Sequence, residues 1–103
     1  MSQYQRLGAI DRFPLGEMRC IEVCGRRLLV AHTERGFCVS DERCTHEDAS
    51  LCLGSLHGTT VSCSLHGARF DLESGAALDE PAEIPLRIYP CRVIRGNLEA
   101  LLD

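Results

Sequence analysis

Cys44-Thr45-His46 and Cys63-Ser64-Leu65-His66 each offer one thiolate and one imidazole at short spacing, with sixteen residues (47–62) between the pairs. Two such pairs constrain a fold strongly. Turns must carry both to one point before two sulfurs and two nitrogens can share a ligand. Gly67 permits a turn with positive φ beside the second pair, and Gly54 and Gly58 let the intervening segment reverse. The donor set suits either a single tetrahedral metal or a binuclear cluster.

The tetrapeptide Ser-Leu-His-Gly occurs at 55–58 and again at 64–67. His66 has Cys63 three residues before it, whereas His57 has Gly54 there. His57 is therefore expected to be an exposed turn histidine. Cys52, between Leu51 and Leu53, is expected to be a small apolar filler. Cys20 and Cys24 share parity on the strand Arg19–Cys24 and are expected to face one side in ordinary packing. Cys38 and Cys91 complete the set outside the two pairs. That remainder, Cys20, Cys24, Cys38, Cys52 and Cys91, is odd in number, which argues against a complete structural disulfide set.

The scaffold reads as all-β. Short alternating or apolar runs recur at Gln5–Ile10, Arg19–Val23, Arg27–Thr33, Gly36–Ser40, Thr59–Ser62, Leu86–Tyr89, Arg92–Arg95 and Leu98–Leu102. Gly96-Asn97 is a two-residue hairpin signal. Close strand spacing suggests a sandwich or barrel, and no segment has a convincing helical period. Residues 42–58 are poor in strand signals and suit a long functional loop. A chain of 103 residues predicts one domain with a small core.

The opening residues lack an apolar segment of the secretory kind, and apolar runs such as Leu28-Leu29-Val30-Ala31 are too short to span a bilayer. A cytoplasmic protein is the expectation. In that setting seven cysteines favour metal binding or burial over disulfides. The net charge of −4 argues against nucleic acid as a partner. All eleven basic residues are arginine, which is read as codon bias. Common catalytic and nucleotide-binding motifs are absent.

Cys-Thr-His at 44–46 and Cys-Ser-Leu-His-Gly at 63–67, followed by Arg69-Phe70-Asp71 and Gly75, resemble the Rieske iron–sulfur motif. The strand pattern on either side extends the resemblance over most of the chain. It is similar in particular to the Rieske-type ferredoxins serving bacterial aromatic-ring-hydroxylating dioxygenases. The resemblance implies an antiparallel sandwich or barrel-like base, in one domain over 1–103, with a small cluster-binding subdomain of about 42–83 at one tip. It implies one [2Fe–2S] cluster per chain, with Cys44 and Cys63 on one iron and His46 and His66 on the other. It also implies a third loop, containing Pro81, over the cluster.

As partners it implies a flavin-containing NAD(P)H reductase and a terminal Rieske non-haem iron oxygenase, with no nucleic acid and no membrane. The protein would be a one-electron carrier and not an enzyme. The alternatives are a small Rieske-like subunit of another reductase, such as that of nitrite, and a structural zinc module using the same Cys2His2 set.

Several positions depart from relatives of the Rieske type. Ser64 stands where the family usually has proline, which removes a fixed φ but no ligand. High-potential Rieske proteins carry a disulfide between the ligand loops, where this chain has Ala49 and Leu65. They also carry a serine and a tyrosine that donate to the cluster sulfurs, where this chain has Ala68 and Phe70. A low potential is the expectation. Asp71, Glu73, Asp79, Glu80 and Glu83 occur with no basic residue between 71 and 83, and Glu47 and Asp48 follow the first pair. Clustered at one tip, these would steer toward basic partners.

Overall fold

The structure is a computed structural model that describes residues 3–45, 49–64, 68–79 and 84–102. Its strands are β1 (Tyr4–Ala9), β2 (Met18–Val23), β3 (Arg26–Thr33), β4 (Gly36–Asp41), β5 (Ser55–His57), β6 (Thr60–Ser62), β7 (Arg69–Asp71), β8 (Ile88–Tyr89), β9 (Cys91–Ile94) and β10 (Asn97–Leu101). They form three antiparallel sheets, ordered β1-β10-β9, β2-β3-β4-β8 and β5-β6-β7. The all-β expectation holds. Short 3₁₀ turns occur at Ile10–Arg12 and Leu51–Leu53.

The second sheet lies between two apolar clusters, and β3 shows why. Strand side chains alternate between faces. Leu29 and Ala31 point into a cluster with Cys38, Cys44, Leu51, Val61, Cys63, Ala68, Phe70, Leu72 and Leu86. Leu28 and Val30 point into the other, with Leu7, Phe13, Val39, Tyr89, Leu98, Ala100 and Leu102. Covered on both sides, β3 reads as the continuous apolar run Leu28–Ala31. The sheet of β5, β6 and β7 supplies Val61 and Phe70 to the first cluster, and the sheet containing β1 and β10 supplies Leu7 and Leu98 to the second.

Two hairpins turn on two residues of positive φ. Cys24 (54°) and Gly25 (76°) join β2 to β3, and Arg95 (51°) and Gly96 (77°) join β9 to β10. Positive φ at both central residues matches the twist of the flanking strands. The second turn lies one residue earlier than the Gly96-Asn97 signal indicates. Asn97 already pairs with Ile94, and its side-chain oxygen accepts from Arg6 Nε at 3.0 Å.

The structure corrects two cysteine expectations. Cys24 does not share a strand face with Cys20. It leaves the strand in the left-handed turn, is exposed, and points its thiol at Gln5 Oε1, 3.7 Å away. Cys52 is not a lone filler. It is joined by a disulfide to Cys20, across a Cα–Cα distance of 6.0 Å and 32 residues of sequence. Parity on β2 gives the face that Cys20 occupies but not the loop folded against it. Closing a loop of that length removes about 3–4 kcal/mol of unfolded-chain entropy. Cys38 and Cys91 remain buried or half-buried thiols, and burial pushes both up from the usual thiol range. Such protonated thiols are poor nucleophiles.

The expectation of a long loop over 42–58 is also corrected, since the turn at Leu51–Leu53 and strand β5 fall within it. Gly54 lies between them because a Cβ there would overlap the Ser62 carbonyl oxygen.

Candidate metal centre

Each cysteine of the two Cys/His pairs begins the tip of a hairpin. Arg43 bridges Ser50, and Cys44 N–H donates to Ala49 O at 2.9 Å, closing a loop over 44–49. Ser62 pairs with Arg69, and Cys63 N–H donates to Ala68 O at 2.7 Å, closing a loop over 63–68. The two tips match in length and closure, and in the position of the cysteine at the start. Both cysteines are nearly inaccessible, 5% and 3% exposed, and lie in the same apolar cluster. His46 and His66 lie outside the described residues. So does Pro81.

A third segment is fixed on both sides of residues 80–83. On one side Arg69 donates to both carboxylate oxygens of Asp79, from Nε and, at 3.0 Å, from Nη2. Leu78 N–H also donates to Arg69 O at 2.8 Å. On the other side Thr45 Oγ1 donates to Ile84 O at 2.7 Å. The first tip, through Thr45, and β7 at the base of the second, through Arg69, thus each contribute an anchor for this segment.

Charge near the tip is less one-sided than the sequence suggests. Hydrogen bonds from Arg69 hold the Asp79 carboxyl below its ordinary range. Glu73 pairs with Arg35 at 3.2 Å, and Asp71 accepts from Glu73 N–H and Ser74 Oγ. The arginines that neutralise Asp79 and Glu73 come from outside the 71–83 stretch, so a count within that stretch misses them. At the base of the first loop, Glu42 is buried and accepts from Arg27 Nε at 2.8 Å. Its burial alone would raise the carboxyl, but hydrogen bonds from Arg27 and Ser50 leave it lowered overall.

His57 ends β5, is exposed, and sits beside Gly58 in the β5–β6 turn, as expected for the histidine without a partner pair. The two copies of Ser-Leu-His-Gly therefore differ in setting. The first runs along β5 into a tight turn, and the second begins just after Cys63 in the hairpin tip. Sequence reading did not find Thr45 and Asp79 as anchors. Their partners are 39 and 10 residues away, and neither pairing leaves a local pattern.

The Rieske [2Fe-2S] domain family matches over residues 3–90. The ferredoxin subunit of a 3-phenylpropionate/cinnamic acid dioxygenase from Photorhabdus laumondii is 38% identical over 90 residues, covering 86% of this chain and 85% of its own. The ferredoxin component of a p-cumate 2,3-dioxygenase system from Pseudomonas putida is 37% identical over 94 residues, covering 89% and 80%. Among solved structures, a ferredoxin of Sphingomonas yanoikuyae B1 superposes with a TM-score of 0.90 at 29% identity, covering 98% of this chain and all of its own. A chain in a complex of reduced oxygenase and oxidized ferredoxin of carbazole 1,9a-dioxygenase matches with a TM-score of 0.88 at 26% identity, covering 95% and 92%.

The chain belongs to the Rieske [2Fe-2S] domain family. It is an electron-transfer protein of the ferredoxin type that carries a [2Fe–2S] cluster, and it is not itself an enzyme. The donor chemistry fits that cofactor. Two buried thiols lie in one apolar cluster at the start of two matched loops, a placement that suits thiolate ligands to iron. The family match sets the structural zinc module aside. No helix of the described residues is long and apolar enough to cross a membrane.

Proposed function

We propose that this chain is the soluble, cytoplasmic electron carrier of an aromatic-ring-hydroxylating dioxygenase system. It takes single electrons from a flavin-containing NAD(P)H reductase and delivers them to a terminal Rieske non-haem iron oxygenase. The relatives are ferredoxin components of such systems, and one matching structure contains an oxygenase with its ferredoxin. Within the chain, we assign Cys44 and Cys63 to one iron and His46 and His66 to the other. The cluster-binding subdomain is residues 42–83 of a single domain. The observation that carries this assignment is the matched closure of the two hairpin tips, with both cysteines buried in one apolar cluster.

The bound cluster supplies a one-electron acceptor whose two imidazoles leave less negative charge around it than four thiolates would. The chain's own part is to position and exclude. Ala49 O and Ala68 O fix the backbone at each cysteine, and Leu51, Val61, Phe70 and Leu72 keep water from the sulfur side. Thr45 and Arg69 hold the segment on either side of 80–83 against the tips.

Protein purified anaerobically with ample iron should contain two irons and two acid-labile sulfides per chain. His66→Ala or Cys63→Ala should abolish the visible spectrum, and His57→Ala should leave it nearly unchanged. Bleaching by His57→Ala would sink the ligand assignment. Failure to support oxygenase turnover with purified reductase and oxygenase, over a panel of aromatic substrates, would sink the dioxygenase assignment.

A further inference from the structure

We propose that Cys20 and Cys52 form a second redox site, a two-electron dithiol–disulfide couple that sets how firmly the first hairpin tip is held. The two cysteines come from different layers. Cys20 lies on β2 of the central sheet, and Cys52 lies in the 3₁₀ turn on the return leg of the 44–49 loop. That turn has other attachments: Leu51 N–H donates to Glu42 O at 2.8 Å, and Ser50 bridges Arg43. The disulfide adds a covalent tie from the same leg to the sheet beneath.

Ser50 lies between the partners, its Oγ accepting from Cys52 N–H at 3.2 Å and lying 3.9 Å from Cys20 Sγ. Both cysteines pack against the apolar cluster that contains Cys44 and Cys63, so the tie acts close to the cluster cysteines. Both are only half-buried, unlike Cys38, Cys44 and Cys63. Cys20 also lines two surface clefts, one with Arg12, Phe13 and Arg19 and one with Glu22, Arg27 and Glu42. The partial burial of both cysteines leaves the pair open to a small thiol reagent.

The reactant is a low-molecular-weight disulfide of the glutathione class. One cysteine thiolate attacks it, forming a mixed disulfide and releasing one small thiol. The second cysteine thiolate then attacks the protein sulfur of the mixed disulfide and releases the other. The protein loses two electrons and the small disulfide gains them, giving two small thiols for each Cys20–Cys52 bond. The cluster takes no part in this exchange. The reduced pair loses the covalent tie, so the first tip opens more often and its metal is more easily extracted.

The test uses holoprotein equilibrated anaerobically in buffers of fixed ratio of reduced to oxidised glutathione. Free thiols are alkylated and the peptides analysed by mass spectrometry. In parallel, the loss of visible absorbance is followed in the presence of an iron chelator. Oxidised glutathione should give a peptide cross-linked between Cys20 and Cys52 and slow the bleaching several-fold relative to reduced glutathione. In Cys20→Ser/Cys52→Ser the two buffers should bleach at the same, faster rate. If that variant does not fold, Cys24→Ser, which keeps the pair, serves as the control for stray thiols and should behave as wild type. Alkylation of both cysteines in every buffer would overturn the proposal, and so would equal bleaching rates in wild type. The bleaching arm rests on the cluster reading. The cross-link arm does not, so a cross-linked protein without iron or sulfide would overturn that reading and leave the disulfide standing.

Discussion

Ala68 and Phe70 are wholly buried in the same apolar cluster as Cys44 and Cys63, and neither carries a hydroxyl. Hydrogen bonds to cluster sulfurs stabilise the added electron and raise the potential. Rieske centres span roughly −150 to +300 mV with such bonds as one determinant. Without these two donors, the midpoint is predicted to fall at the low end, below 0 mV. Ala68→Ser with Phe70→Tyr should raise it, read by protein-film voltammetry, where about 59 mV is a tenfold change for one electron. The new hydroxyls are buried. If they fail to reach a sulfur, stability should fall by about 1–3 kcal/mol per orphaned group while the potential stays put. Cys44 and Cys63, which the structure buries in one cluster, were marked in sequence by local spacing. The Cys20–Cys52 bond was not, because nothing within a few residues of either cysteine records that a loop 32 residues away lies across β2.

The residues flanking 80–83 are held by two anchors from different hairpins, Thr45 on Ile84 and Arg69 on Asp79. Asp79→Asn removes the charge from one of them. The Asp79 carboxyl is held below its ordinary 3.8 by Arg69. Its contribution is therefore complete above that ordinary value and is lost as pH falls through the lowered one. Wild type and Asp79→Asn should differ in urea midpoint by a constant amount over roughly pH 5–8 and converge only in stronger acid. Convergence near neutral pH would show that the pair does not act as an ion pair. Among the elements, strands with a clear pattern, such as the apolar run of β3 and the alternation of β10, were readable from sequence. β5 and β7 were not. Each has three residues and only one flank of local pattern, and each is fixed by pairing with β6.

At the scale of the molecule, the carboxylates of 71–83 do not all face solvent as free charges. Asp79 and Glu73 are partnered by Arg69 and Arg35. Electrostatic steering of an oxygenase should therefore rest less on Asp79 and Glu73 than a count of carboxylates suggests. Electron transfer to the oxygenase is predicted to slow as salt rises, and Glu47→Lys should slow it at low salt more than at high salt. Asp79 is a poor probe of this, since changing it also frees Arg69. Stopped-flow rates indifferent to ionic strength would remove steering from the account.

β1 and β10 run side by side, with Tyr4 opposite Leu101. The described chain is thus nearly a closed circuit, broken between an edge strand and the middle strand of the sheet whose core is separate from that of Cys44 and Cys63. A short linker joining the two ends, with the chain reopened at the exposed Cys24-Gly25 turn, should give a circular permutant. It would keep every strand pairing described and the same visible spectrum, and loss of the spectrum would show that the order of the strands along the chain matters beyond their neighbours in space. The circuit also means that a surface, an electrode or a fused reductase can be tethered through either end at one and the same place.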